Sequence, residues 1–474
     1  IVSCRFDSCG VAYGTVRLDN SQARIIDCAF RQCSVFVAGG AIYSSNSSPV
    51  IRSTTIDTCS SGFHGGGMII MDGGSPKLTD VTLTGCFSGG DGGGIYCQDA
   101  PPTLTRVGFI GNHADTTRGG GLYISCDATL TDCSFAGNVA GQEGGGIFCW
   151  GSFLDVNGCD FTGNDASAGG GIYGENPLLD IDGGVYSENV AGMGGGVCVQ
   201  GGDAWLTDLT FDANAVAIYG GGVASLDALS DLDGCTFTAN EAWSGAAVYC
   251  DGPADPSIDT CTLSGNVAAP GGNCALLCEG SDPTITNTIV AFTVDGAGMG
   301  CESGASPTTT HSCFHGNDGG DGLCGSYSDN LSDDPLFCDG PTADVSLHDD
   351  SPCLPGGNPW GEQIGSKGAG GCGPSSGVEG GLASLRLFPP SPNPAAGAAT
   401  IAWAGPASAP ADVTVYSAAG RLVRAASVRT GPDGSGSYAW DARDGEGNEV
   451  ASGLYLVRVE SGGESARGRI TIVR

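Results

Sequence analysis

The sequence predicts an all-β chain: a right-handed parallel β-helix of about 13 coils, followed by a small antiparallel β-sandwich. Two interlocked repeats predict the helix, and a change of composition near residue 385 predicts the sandwich. In the first repeat a bulky apolar residue is followed three positions later by asparagine, every 24 to 27 residues. The instances are Phe109/Asn112, Phe135/Asn138, Phe161/Asn164, Tyr186/Asn189, Phe211/Asn214, Phe237/Asn240, Leu263/Asn266 and Phe314/Asn317. Earlier copies carry cysteine in the asparagine slot: Phe6/Cys9, Phe30/Cys33, Ile56/Cys59 and Leu83/Cys86. A unit this short cannot bury an apolar face alone, so it must stack on copies of itself.

The second repeat is a glycine run followed by an aliphatic residue, as in Gly119-Gly120-Gly121-Leu122 and Gly144-Gly145-Gly146-Ile147. The aliphatic position steps through Ile42, Met68, Ile95, Leu122, Ile147, Ile172, Val197, Val223 and Val248. Within one period the glycines turn the chain and residues 122–124 form a strand. A corner follows at Cys126-Asp127, residues 130–135 form a second strand, and Asn138 begins the turn back. Each strand then pairs in parallel with its counterpart one period on, giving a rod roughly 60 Å long at ~4.8 Å per coil.

Each column has a physical reading. A side-chain amide can donate to and accept from its equivalents above and below, so Asn112, Asn138, Asn164, Asn189, Asn214, Asn240, Asn266 and Asn317 are expected to form a structural ladder. The aromatic column should stack inside the coil. Asp80, Arg106 and Asp132 read as an alternating-sign surface column, weak on an exposed face.

Glycine is abundant, 84 of 474 residues, but sits at fixed phase and so reads as corners rather than disorder. No stretch approaches ~18 consecutive apolar residues, so no transmembrane segment is expected. The chain opens inside a repeat at Ile1, which reads as a mature form or fragment. The net charge of -34 lies entirely in residues 1–378, because residues 379–474 balance nine basic against nine acidic side chains. Such a rod repels phosphate backbones and anionic membranes, so nucleic acid is not an expected partner. All 23 cysteines lie in residues 1–372, a density that suits an oxidising, extracytoplasmic compartment. Several recur in phase (Cys4 and Cys28, Cys133 and Cys159, Cys235 and Cys261), close enough for disulfides or for a column of buried thiols.

Four segments follow: the parallel β-helix over 1–325, a C-terminal cap of the helix over 326–373, a linker over 374–384, and the sandwich over 385–474. The last has alternating strand patterns at residues 400–403, 413–416 and 454–457.

The paired glycine-run and Phe-x-x-Asn motif over residues 1–325 resembles the repeats of chlamydial polymorphic outer-membrane proteins and of bacterial secreted β-helix repeat proteins. The C-terminal residues Pro392-Asn393-Pro394, Trp440-Asp441, Gly453, Tyr455 and the closing Arg474 resemble the FlgD-like immunoglobulin domain and type IX secretion sorting domains. The first resemblance implies a surface passenger used in adhesion. The second implies an export address read by secretion machinery, on a protein secreted from, or held at the surface of, a Gram-negative bacterium.

No catalytic cluster stands out. Glycoside hydrolysis needs two facing carboxylates, and lyase chemistry needs a base, yet the helix holds only Lys77 and Lys367 as lysines and its arginines fall singly. No cofactor or metal is expected. The weak candidates are His311-x-Cys313-x-His315, and for calcium Asp180-x-Asp182, Asp231-x-Asp233 and the turn at residues 316–321. The expectation is a monomeric, non-enzymatic surface protein that contacts glycans or host and neighbour surfaces. A polysaccharide lyase or hydrolase acting in a lateral groove is the alternative.

Overall fold

The computed structural model describes residues 1–269, 272–342, 344–372, 386–387, 398–404, 409–417, 421–431, 435–451, 453–461 and 464–472. The chain divides into two compact units, Ile1–Ser375 and Ser376–Arg474, and among the described residues every regular element is a strand.

The first unit is a parallel β-solenoid. One coil runs through strands Leu122–Ser125, Ala128–Thr131, Ser134–Ala136 and Val139–Ala140. Among the described residues the coils stack into a 24-stranded sheet holding two strands per turn, a 12-stranded sheet holding one, and a third face split into six- and four-stranded sheets. The single strand expected over residues 130–135 is two strands, broken at Asp132 with φ 52°. Asp80, Arg106, Asp132, Asp208, Asn287, His311 and Asp329 hold this left-handed corner, alternating with glycines in other coils. Short polar side chains and glycine tolerate that conformation, which is why the column is rich in aspartate. The charge column is real at one step, where Arg106 grips Asp80 at 2.7 and 3.2 Å.

The glycine triplet is required by close approach. A Cβ on Gly120 would sit 2.5 Å from the carbonyl oxygens of Gly145 and Val139, so no larger residue fits between coils there. Gly119 has φ 66°, and its N–H donates to Glu143 O, continuing the ladder through the turn.

Inside, the apolar file is continuous and in register from Phe6 through Phe30, Ile56, Leu83, Phe109, Phe135, Phe161, Tyr186, Phe211, Phe237 and Leu263 to Val290 and Phe314. Val290, with no Phe-x-x-Asn signature, fills the one slot that the motif skips. Phe109, Phe135 and Phe161 stack at 4.5 and 4.6 Å with rings within 5° of parallel. Truncating one of these buried rings to alanine should cost roughly 3–5 kcal/mol.

Residues 326–372 depart from a simple end cap. Ser326–Ser328 still pairs in parallel with Thr308–Thr310, so the coil runs past residue 325. The antiparallel pair Phe337–Asp339 and Asp344–Leu347 then folds back along the flank. Val345, Leu347, Cys353 and Ile364 cover outward residues Ile289, Ala291 and Cys313, and Ser366 reaches Thr262 and Thr236. The reason is that these last coils carry apolar residues on the outer face, where earlier coils carry Thr236, Thr238, Thr262 and Ser264.

The second unit packs a three-stranded against a four-stranded antiparallel sheet over Trp403, Trp440, Val413, Val457 and Ile470. Trp440 Nε1 donates to Arg443 O at 2.9 Å and Tyr455 Oη to Ala451 O at 2.7 Å, so both buried polar tips are satisfied.

Candidate functional site

The asparagine ladder is wholly internal. Asn112, Asn138, Asn164, Asn189, Asn214, Asn240, Asn266 and Asn317 are all buried. Asn138 shows the repeating geometry: Nδ2 donates to Phe109 O at 3.0 Å and Asn164 Oδ1 at 2.9 Å. Its Oδ1 accepts from both Asn112 N and Nδ2. All four hydrogen-bonding positions of the amide are used, leaving none for a ligand. Thr293 replaces asparagine in one coil, and Asn317 resumes the ladder by accepting from Thr293 N.

A second ladder was not legible as such. At the other corner Val107 N donates to Cys133 Sγ, Cys133 N to Cys159 Sγ, Cys261 N to Thr288 Oγ1 and Thr288 N to Ser312 Oγ. Cys133 and Cys159 are thus corner acceptors, the thiols of Cys4, Cys28, Cys235 and Cys261 donate to backbone carbonyls, and all six are free thiols rather than disulfides. Side chains stacked in register point the same way, which opposes the Cβ approach a disulfide needs. The two disulfides join Cys301 to Cys324 and Cys338 to Cys372, neither at the repeat spacing.

The metal candidates do not assemble. His311 lies in a corner, not on the strand, with Nδ1 3.0 Å from Glu362 and its ring 4.8 Å from Trp360. Asp180, Asp182, Asp231 and Asp233 lie in strands Leu178–Asp182 and Leu229–Asp233 rather than in loops. Asp321 spends its carboxylate on Gly316 N, Asn317 N and Asn317 Nδ2. Among the described residues no group of three His, Cys, Asp or Glu side chains could hold a metal ion.

The outer surface offers three constellations. The first is an uncharged trough of ≈ 620 Å³ whose lining includes Val11, Ser34, Phe36, Ser60, Gly62 and Phe87. Strand alternation turns Val35 and Ser61 inward and Ser34, Phe36 and Ser60 outward, leaving Phe36 77% exposed. Phe63 and Phe87 are also exposed, and Ser60 Oγ donates to Ser34 Oγ at 3.0 Å. A Cβ on Gly62 would stand 2.2 Å from Phe36 O, so the backbones close the floor.

The second is a file of aromatics outside the coil, on the 12-stranded sheet: Tyr96, Tyr123, Phe148 and Tyr173, with ring centroids 4.7 to 5.7 Å apart. Ala168 and Met193, bridged in parallel on neighbouring coils, pack on the same cluster. Arg118 lies 4.8 Å over Phe148, donates to Glu143 at 2.9 Å and sits 3.9 Å from Glu175. Burial pushes the Tyr96, Tyr123 and Tyr173 hydroxyls up, so they remain protonated donors. The adjacent His64 Nδ1 accepts from Asp91 N at 3.0 Å and its ring lies 4.6 Å from that of Tyr96, tilted by 32°.

The third is an acidic face. Asp155, Asp180, Trp205 and Asp231 are in register, as are Asp182, Thr207, Asp233 and Asp259. Burial, then Asp259 and Asp208, raises the Asp233 carboxyl. These carboxylates point outward side by side along one sheet and do not face one another across a cleft, as glycoside hydrolysis requires.

In the second unit Trp440 and Tyr455 pack edge to face at 5.3 Å, Asp441 Oδ1 accepts from Arg443 N, and Gly453 opens strand Gly453–Ser461 opposite Ile472. Pro392, Asn393, Pro394 and Arg474 lie outside the described residues, as does the linker over 374–384.

Comparison with known proteins agrees with this architecture. The right handed beta helix region matches residues 1–176 and 145–334, and the FlgD Ig-like domain matches residues 391–465. The fold and its in-register interior define a β-solenoid protein, and the chain belongs to the right-handed β-helix family. No curated protein matches. Solved structures that share a fragment with it include two from one organism. Dimeric latent PorU from Porphyromonas gingivalis is 24% identical over 20% of this chain and 10% of that one, with TM-score 0.18. PorZ, described as an essential bacterial surface component of the type-IX secretion system of the same organism, is 28% identical over 19% and 11%, with TM-score 0.15. The chain spans about a tenth of the length of either structure.

Proposed function

We propose that this is a secreted or cell-surface β-helix protein that works by contact rather than catalysis, binding glycans on neighbouring surfaces and exported through its C-terminal domain. The observation that carries the contact is the uncharged trough at Ser34, Phe36, Ser60 and Phe87, on a unit that is otherwise strongly acidic. Exposed aromatic rings beside paired hydroxyls suit neutral sugars, which offer C–H faces and hydroxyl groups together. The FlgD Ig-like match and the C-terminal motif support the export half. A glycan array tests the contact. Neutral glycans should bind the intact protein and be lost on Phe36→Ala with Phe87→Ala, whose side chains are exposed. An array without neutral hits overturns it. Deleting residues 385–474 should leave the solenoid folded but retained in the periplasm, and normal export of the shortened form sinks the sorting role.

A second reading rests on Arg118 with Glu143 and Glu175, an arginine and two carboxylates on one lateral face. It makes the protein a polysaccharide lyase or hydrolase. Clearance of polyuronates by pure protein, abolished in Glu143→Gln and Glu175→Gln, would establish it.

A further inference from the structure

Two cysteine pairs reach from one position of the 12-stranded sheet to the next corner of the following coil, and only one is bonded. Followed strand by strand through its Cα partners, Cys97 leads by way of Cys149, Cys250 and Cys278 to Cys301, so all five share one position of the 12-stranded sheet. Cys301 is joined to Cys324, which stands two residues ahead of strand Ser326–Ser328 in the following coil. Cys126 stands two residues ahead of strand Ala128–Thr131, in the coil after Cys97. Those two strands belong to the same column of the 24-stranded sheet, where Leu130 aligns with Tyr327, so Cys126 enters the corner one residue before the place of Cys324. Cys97 Sγ and Cys126 Sγ lie 3.3 Å apart.

We propose that Cys97 and Cys126 are a cross-linking site, oxidised to an inter-coil disulfide between strand and corner, as Cys301–Cys324 is. The arrangement separates this pair from the in-register cysteines. Cys250 and Cys278 face each other on adjacent strands with side chains pointing the same way, and they remain thiols. Cys126 approaches instead from a corner, toward the strand residue of the coil before it, as Cys324 does toward Cys301.

The oxidant is a disulfide, either a small molecule such as oxidised glutathione or the disulfide of an oxidoreductase. Cys126 is partly exposed while Cys97 is buried, so Cys126 makes the first attack. The hydrogen bond from Cys97 holds the Cys126 thiol below its ordinary range, which favours the thiolate. Its sulfur bonds to one sulfur of the oxidant, and the other leaves as a thiolate. Cys97 then loses its proton and attacks Cys126 Sγ, expelling the second thiolate. Two protein thiols are oxidised by two electrons, and one external disulfide is reduced to two thiols.

The test is peptide mapping by mass spectrometry of the full chain without reduction, after titration with oxidised glutathione until the Cys301–Cys324 peptide is fully linked. At that point a peptide joining Cys97 to Cys126 should appear, lighter by two hydrogens than the sum of its parts. It should disappear on reduction, and in Cys126→Ser if that variant folds. Recovery of Cys97 and Cys126 as alkylated free thiols at the same point would overturn the proposal. So would either residue linked instead to Cys149.

Discussion

Asn317 Nδ2 donates to Asp321 Oδ1 at 2.6 Å, and the same oxygen accepts from Asn317 N at 3.0 Å. In every complete step of the ladder the next asparagine supplies that oxygen, so Asp321 closes the ladder with a carboxylate from its own coil. Asp321→Ala should therefore fray the final winding. Amide exchange over residues 313–328 should rise about tenfold or more, on the scale of ~1.4 kcal/mol for one lost charge-assisted partner, with coils before residue 260 unchanged. Asp321→Asn keeps an acceptor and should largely restore protection.

Asn189 sits mid-ladder, accepting from Asn164 N at 3.0 Å and donating to Phe161 O at 3.0 Å. Asn189→Ala leaves a buried N–H and a buried carbonyl without that partner. A destabilisation of roughly 2–4 kcal/mol is expected, read as a lower denaturant midpoint for the full chain. A variant indistinguishable from the parent would show that the ladder contributes nothing to stability.

Cys86 occupies the asparagine slot of its coil, where its N–H already donates to Asn112 Oδ1 at 3.0 Å and its thiol makes only long contacts of 3.7 Å to Ile56 O and Thr84 O. Cys86→Asn should extend the ladder by one step. The amide can reach Ile56 O and Asn112 Oδ1 as its counterparts do, for a gain of about 1 kcal/mol. Thermal melts of Cys86→Asn against Cys86→Ser should separate the two, with serine the lower.

Burial raises the Asp212 carboxyl above its ordinary range, although Thr238 Oγ1 donates to it at 2.7 Å and so lowers it in part. In the window between the unfolded and the raised folded value, the folded chain holds the extra proton. Stability from this group therefore falls as pH rises through that window, and the ionised form is a cost at neutral pH. Asp212→Asn keeps an acceptor for Thr238. It should melt on the order of 1 °C higher at pH 7, with the advantage vanishing near pH 3. A variant less stable at pH 7 than at pH 3, relative to the parent, would reverse the sign.

The sequence by itself determined the solenoid and its phenylalanine and asparagine files. The reason is translational. Each interior residue meets mainly its own equivalent one coil away, so a period in the chain becomes a column of contacts, as from Phe109 to Phe135 to Phe161. Val290, which has no motif, joins the file only through the strand pairing. Tertiary structure decided what has no period. The cysteines in phase stayed thiols hydrogen-bonded at the corner because parallel side chains do not converge. The cross-links formed between residues out of phase, such as Cys301 and Cys324. Residues 337–366 lie on the flank because Thr236 and Ser366, 130 positions apart, meet only once the coil exists. The trough at Phe36 and the Arg118 group over Phe148 are likewise surface juxtapositions. Periodicity fixes which side chains face out, and only the completed winding fixes which of them stand together.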